Sequence, residues 1–415
     1  MEKLAFNYGK RQLTLAVPDH ATRLEFREPA VTVSEEKFLN NLKLLIGDKN
    51  NVTNVAIVVA DKTRLCGYER ILPWVIEALQ ETGVREEGIT FYIAYGTHPR
   101  QTDEECRISY GDLYDQFRFV HHDCEEKGCF TFIGTTGRGT EVKIRRDVLS
   151  ADLILTIGAI SHHYFAGYGG GRKLLFPGLA EKQAIYANHR LFLDREQMQL
   201  AAGCWPGLLE GNPLAEDLME IHQMLPAYVS IHALLDSSGT PARYFFGKSY
   251  DEFLTVCEAL DSCYKVEVEN SFDLAVVSAG GYPKDINMIQ SHKAIHNAAN
   301  LVDDGGTLIV LAECVDGVGS QTFLPYFEMG GRDGAFSKLI EHYEGNGGTA
   351  LAMMEKTERI RICMVTALSE EICLLMNTEK TTAERAETIV AEHPGSMAIV
   401  QNGSMLVTER RKHPE

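Results

Sequence analysis

The chain has 415 residues, 45% of them hydrophobic and 24% charged, with a formal net charge of −18. That length exceeds one ordinary hydrophobic core and predicts two or three packed units. The acidic balance argues against a nucleic-acid binder, which needs a basic stripe against phosphates, yet it leaves room for a local cationic cleft that takes a small anion.

No apolar run approaches the roughly 20 residues that span a bilayer, and Met1 to Asp19 lacks the apolar core of a secretion signal. A cytoplasmic protein without membrane attachment is expected. The ten cysteines form no C-x-x-C pair and read as reduced, mostly buried thiols.

In chain order, Val55 to Ala60 is a continuous β-branched run and reads as a buried strand, followed by helical spacing from Tyr68 to Thr82. Ile89 to Tyr95 is a second strand, ahead of a helix at Thr102–Ser109. Leu153 to Ile157 is a third, running into the glycines at 167–171. Ala227–Leu235 and Arg243–Phe246 read as strands about the turn Ser237-Ser238-Gly239, and with a helix at Tyr250–Leu260 they suggest a linker region. The pattern then restarts: strand Leu274–Val277, helix Ser291–Val302, strand Thr307–Leu311, a helix before the strand Ile360–Val365, helix Thr382–Glu392 and strand Met397–Val400.

Alternation of apolar strands with helices predicts an α/β protein of two α/β domains with largely parallel sheets. The expected division is 1–268 for an N-terminal domain and 269–395 for a C-terminal one. The tail 396–415 is free to pack back on the first, and the active site is expected in the cleft between the two.

Ionisable residues follow the strands. Asp61-Lys62-Thr63-Arg64 follows the first, Gly96-Thr97-His98-Pro99-Arg100 the second, and Ser161-His162-His163 the third. Gly280-Gly281-Tyr282-Pro283-Lys284-Asp285 and Gln290-Ser291-His292-Lys293 follow Leu274–Val277. Ligands in open α/β sheets sit beyond the carboxyl ends of strands, so these segments converge where a site forms.

Gly167-Tyr168-Gly169-Gly170-Gly171-Arg172-Lys173 can cradle an anion with backbone N–H groups and two cations, or can simply be a tight turn. It is not a P-loop, because Leu174 stands where Ser or Thr would reach Mg²⁺. His98, His162, His163 and His189 suggest either acid–base groups or a metal site. His121-His122 reads as structural, since adjacent side chains rarely converge on one ion.

In order, Asp61-x-Thr63-Arg64, Gly96-x-His98-x-Arg100, His163 ten residues before Lys173, Pro177-Gly178, Asn188-His189, the 280–285 motif and Gln290-x-x-Lys293 resemble the lactate racemase family over nearly the whole chain. The resemblance implies a racemase or epimerase of a small anionic 2-hydroxy acid. It implies a pyridinium-3,5-bisthiocarboxylate mononucleotide, the nickel-pincer nucleotide, joined covalently to Lys173, with His189 as the protein ligand to nickel. Asp61, Lys62, Thr63, Arg64, Gly169, Gly170 and Gly171 would line the cofactor site.

By the same resemblance, His98 and His163 are the two opposed bases, leaving His162 structural, and Gln290 and Lys293 bind the substrate carboxylate. Hydride transfer to the cofactor avoids a carbanion, and cofactor-biosynthesis enzymes become expected partners. Leu65 stands where the family often has proline. Lys62, Ile289 and His292 adjoin motif positions and are candidates for lining the substrate pocket, with Lys62 favouring a second carboxylate. Two other readings compete: a His-based zinc metallohydrolase, and a non-enzymatic module that binds an anion or nucleotide.

Overall fold

The computed structural model describes residues 1–47 and 52–410. The chain divides into two units. One comprises Glu28–Phe192 and Ala202–Cys263; the other holds Met1–Arg27, Leu193–Ala201 and the chain from Tyr264 onward.

In the first unit a six-stranded sheet runs, in spatial order, Pro241–Gly247, Val229–Leu235, Leu153–Ala159, Val55–Ala60, Ile89–Ala94, Arg118–His121. All neighbours are parallel except the edge strand Pro241–Gly247, which pairs antiparallel with Val229–Leu235. Val55–Ala60 and Leu153–Ala159 are buried along their whole length, which explains why they lack polar alternation; the one polar side chain, Thr156, bonds Ser230 on the neighbouring strand at 3.1 Å.

From Val55–Ala60 the chain steps outward to one edge, then restarts on the other side at Leu153–Ala159, so the strand order reverses between these two. That reversal opens a crevice at their carboxyl ends. Tyr68, fully buried, spans it. Its hydroxyl accepts from the Ala60 N–H at 2.7 Å and donates to the Ile157 carbonyl at 2.7 Å, while Tyr110 donates to the Ala60 carbonyl at 2.8 Å.

The expected linker is instead part of this sheet. Val229–Leu235 extends it beside Leu153–Ala159, and the helix Tyr250–Tyr264 belongs to the same unit through Cys263. Strand pairing, which composition does not reveal, decides this.

The second unit has a six-stranded, wholly parallel sheet in the order Glu379–Thr381, Arg361–Val365, Val302–Leu311, Phe272–Ser278, Met397–Val400, Thr22–Leu24. Two pairings correct the expected domain limits. Thr22–Leu24 pairs with Met397–Val400, which draws the first 27 residues into this unit, and Lys265–Val268 pairs with Val407–Arg410. The tail therefore stays with its own unit as far as Arg410; residues 411–415 lie outside the described residues.

The hairpin Glu2–Tyr8/Arg11–Val17 buries Leu4, Phe6, Tyr8, Leu15 and Val17 in the same core as Leu274, Val276, Ile309 and Leu311. Among the described residues no helix is long and apolar enough to cross a membrane.

His292 does not line a pocket. It is fully buried on the helix Met288–Ala299, with its ring 5.9 Å from that of His296 one turn on, and both lie near Lys356 of the helix Gly347–Arg359. Burial pushes both histidines well below their ordinary range, the Lys356 charge adding to the effect, and burial lowers Lys356 to about 7.

Below about pH 6.5 unfolded histidines take up protons that these folded ones refuse, so stability falls as pH drops through that point. The contribution of Lys356 runs at higher pH, between its unfolded value and about 7, and is constant below. His122, His189 and His232, each pushed to about 4, act in the same direction from the first unit. The urea midpoint should therefore fall between about pH 7 and about pH 5, and His296→Leu should flatten part of that fall. An unchanged slope in the variant would refute a role for the buried pair.

Candidate active site

The site of the first unit starts at the strand reversal. With both backbone groups of Ala60 held by tyrosines, Asp61 emerges in a fixed direction and caps the short 3₁₀ turn Lys62–Arg64. Its Oδ1 accepts from the Thr63 N–H at 2.7 Å and from the Thr63 hydroxyl, and its Oδ2 takes the His98 Nδ1–H at 2.6 Å.

Burial alone would raise this carboxyl, but the His98 and Thr63 hydrogen bonds and the Arg64 charge outweigh it and bring Asp61 down to about 2. An anionic acceptor on Nδ1 leaves the neutral His98 ring with its lone pair on Nε2, and the side chain is 46% exposed. His98 is thus set as a base.

His98 is carried on the turn after Ile89–Ala94, where the Gly96 N–H donates to Gly178 at 2.9 Å. This bond ties the His98 turn to the Pro177-Gly178 turn that follows Lys173. The Lys173 segment is a 3₁₀ turn, Gly171–Leu174, packed onto the end of Leu153–Ala159. Gly170 has φ +77°, and a Cβ there would stand 1.9 Å from the Ala159 carbonyl oxygen, so this position needs glycine.

The glycines act here as a close-packed turn. Gly167–Gly169 pairs with Ser161–His163, and a Cβ on Gly171 would meet the Phe253 ring at 2.8 Å. Arg172 stacks inside this turn, and its Nε and Nη1 have no hydrogen-bond partner among the described residues. It is buried, with its guanidinium 4.4 Å from the centroid of Phe253, and it donates to the Ala166 carbonyl.

Lys173 is half-buried, and burial together with the Arg64 and Arg172 charges pushes its amine well below the usual lysine range. A neutral amine is a nucleophile. The fields of Lys173 and His98 in turn reach His189, whose burial, reinforced by the Lys173 charge, lowers it to about 4.

The His189 Nδ1–H donates to the Ile185 carbonyl at 2.8 Å, so the neutral ring keeps its Nε2 lone pair, the form a metal ligand takes. Asp61, Arg64, His98, Lys173 and His189 therefore form one electrostatic group. An amine for covalent attachment, a guanidinium for an anion and an imidazole for a soft-metal complex fit a tethered, anionic, nickel-bearing cofactor.

Strand alternation separates the two adjacent histidines. His162 lies opposite Tyr168 in the hairpin and is held by Asp261 at 2.8 Å, with 8% of its side chain exposed. His163 is on the other face, where its Nδ1 accepts the N–H groups of Phe165 at 3.2 Å and Ala166 at 3.1 Å. A neutral His163 thus carries its proton on Nε2, the opposite setting to His98.

Lys62 departs from expectation. It is exposed, its ammonium is paired with Glu105, and its N–H donates to Gln101 at 3.0 Å. That pairing offsets the charge that would have favoured a second carboxylate. Gln290 and Lys293 lie in the second unit, on the first turns of Met288–Ala299, where the Lys293 ammonium donates to the Gln290 side chain at 2.8 Å.

One supporting network was not read from the motifs. Asp217, fully buried, accepts from Thr136, from Thr140 at 2.8 Å and from Asn188 at 2.8 Å, fixing the residue beside His189. The available signal was an acid on the apolar stripe of its helix, with Leu214, Leu218 and Ile221. Among the described residues no group of three or more His, Cys, Asp or Glu could hold a metal ion, so the zinc hydrolase alternative has no ligand set there.

Comparison with known proteins gives the same direction. Residues 8–201 match the lactate racemase N-terminal domain and 267–350 the lactate racemase C-terminal domain. The lactate racemase of Thermoanaerobacterium thermosaccharolyticum is 30% identical over 341 residues, covering 79% of this chain and 78% of the relative. That of Lactiplantibacillus plantarum is 28% identical over 332 residues, 76% of each.

The structure of the lactate racemase apoprotein from Thermoanaerobacterium thermosaccharolyticum superposes with a TM-score of 0.86 at 25% identity, covering 98% of this chain and all of that one. A Thermotoga maritima protein of known structure shares the fold at a TM-score of 0.69 and 18% identity, over 92% of this chain and all of that one. The chain belongs to the lactate racemase family and is an isomerase of the racemase type.

Proposed function

We propose that this enzyme interconverts the enantiomers of a small 2-hydroxy acid, lactate or a close relative, using a nickel-pincer nucleotide tethered to Lys173. The observation that carries the reading is the electrostatic group around Lys173: an amine pushed down by burial and the Arg64 charge, a His189 ring pushed to about 4 by burial and the Lys173 charge, and the His98–Asp61 pair at 2.6 Å. Lys173 would hold the cofactor covalently, His189 would ligate nickel through Nε2, and Arg64 with Thr63 would face the nucleotide phosphate along the glycine-lined turn. When bound, the group supplies a hydride acceptor, sparing the enzyme a carbanion.

The rest falls to the protein. His98, with Asp61 on Nδ1, takes the 2-hydroxyl proton of one enantiomer on Nε2 as its Cα–H leaves. Asp61 then stabilises the imidazolium. His163 would be the second acid–base group: as the imidazolium it returns a proton from Nε2 to the oxygen when hydrogen is delivered to the opposite face, which requires its Nδ1 to give up the Phe165 and Ala166 N–H contacts. For the other enantiomer the two roles exchange. Gln290 and Lys293, already hydrogen-bonded to each other near a helix N-terminus, suit a carboxylate.

The enzyme is proposed to work in the cytoplasm, where its ten free thiols would stay reduced, and to depend on cofactor-making enzymes.

Protein co-produced with a pincer-nucleotide pathway should show an adduct mass on the Lys173 peptide and should racemise lactate or a related acid. Turnover by protein with unmodified Lys173 would overturn the assignment. His98→Ala and His163→Ala should each lower kcat by about a hundredfold to ten-thousandfold. Asp61→Asn should leave the adduct in place and lower kcat at least about tenfold, because it loses the anion that orients and stabilises the His98 imidazolium. A wild-type kcat in Asp61→Asn would refute that role.

A further inference from the structure

The Gly280–Asp285 motif contributes nothing to the chemistry above, yet it occupies the strand reversal of the second unit. There the parallel order restarts between Phe272–Ser278 and Met397–Val400, and the motif leaves the carboxyl end of the first of these. Its last residue, Asp285, is 1% exposed. One carboxylate oxygen, Oδ2, accepts the Gly9 N–H at 2.6 Å and the Glu313 N–H at 3.2 Å. Oδ1 has no hydrogen-bond partner.

A carboxylate buried with one oxygen unsatisfied costs stability, and a neutral side chain could fill the space at less expense. What the anion gains is strength in its two N–H contacts, since charge-assisted hydrogen bonds are about twice as strong as neutral ones.

Those contacts join three distant segments: the tip of the N-terminal hairpin, the loop after Val302–Leu311, and the motif itself. Backbone bonds complete the junction. Tyr282 N–H donates to Gly9 at 2.8 Å, Cys314 N–H to Asp285 at 2.8 Å and Asp316 N–H to Ile286 at 2.8 Å. Gly281 has φ +74°, and a Cβ there would sit 2.9 Å from that of Asn7, so the hairpin tip can approach only a glycine.

The helix carrying Gln290 and Lys293 begins three residues later. Its first N–H groups, those of Met288 and Ile289, donate to Gly317 at 3.0 Å and Val318 at 3.2 Å in the same loop that Asp285 grips at Glu313. Asn287 caps it by accepting the Gln290 N–H at 3.0 Å.

We infer that Asp285 is a positioning residue: by clamping the hairpin tip and the loop 313–318 together, it fixes the start of the helix that presents Gln290 and Lys293 to the substrate carboxylate. This rests on the reading of Gln290 and Lys293 given under the proposed function.

The test pairs hydrogen exchange on the apoprotein, which needs no substrate, with kinetics of the cofactor-loaded enzyme. In Asp285→Ala, amides of 286–293 should exchange at least about tenfold faster while strands of the first unit keep their protection. KM should rise at least about tenfold with kcat changed less than about threefold. Asp285→Asn keeps an acceptor for the two N–H groups and should recover KM to within about threefold of wild type. Should Asp285→Ala not fold, Asp285→Ser serves, with the same directions.

Unchanged exchange at 286–293 overturns the inference. So does faster exchange with an unchanged KM, if Gln290→Ala itself raises KM. If neither Asp285→Ala nor Gln290→Ala moves KM while exchange accelerates, the clamp stands and the carboxylate-binding reading falls.

Discussion

The site of the first unit depends on how the chain leaves one strand. Val55–Ala60 and Leu153–Ala159 pair in register up to Val59 and Ile157; at Ala60 only Ile89–Ala94 remains as a ladder neighbour, leaving side chains to bond its N–H and carbonyl. Tyr68 and Tyr110 do so, one hydroxyl on its N–H and one on its carbonyl. A backbone held on both sides within a buried layer gives Asp61 a fixed exit. Everything downstream, from the Thr63 cap to the His98 tautomer, takes its geometry from that residue.

Burial shapes the charges. The same low-polarity surroundings that disfavour the charged forms of Lys173 and His189 would raise the Asp61 carboxyl as well, were it not for the histidine and threonine donors around it. The result is one carboxylate held as the anion beside two nitrogen bases whose protonation burial opposes. The second unit uses a buried carboxylate in another way: Asp285 has no side-chain partner in the described structure and holds backbone instead. In both units the acid follows the carboxyl end of a strand at an order reversal, where backbone N–H groups lack ladder partners.

Much of this was legible from residue order. Continuous apolar runs announced the central parallel strands because a strand buried on both faces has no polar alternation to hide it. The helix expected at Thr102–Ser109 forms as Asp103–Tyr110, opened by a capping box of Thr102 and Glu105. The Asp61–Arg64 and His98 segments were visible as polar clusters after strands, whereas the roles of Lys173 and His189 came from the family resemblance. Local pattern could not supply the neighbours of Arg172 and Lys62, two cations near the site: the Arg172 guanidinium lies over Phe253, and the Lys62 ammonium pairs with Glu105. Side-chain direction at a turn is set by packing partners that are remote in sequence.

By itself, then, the sequence determined the α/β class, the positions of the buried strands and the residue types that follow them, because periodicity and apolar content act over a few neighbouring residues. Tertiary structure decided which strands are neighbours. It drew Thr22–Leu24 beside Met397–Val400, turned an expected linker into sheet, and sent His162 and His163 to opposite faces of one short hairpin. It also shifted the titration of Asp61, Lys173 and His189 downward. Desolvation and the fields of groups far away along the chain exist only once the chain has folded.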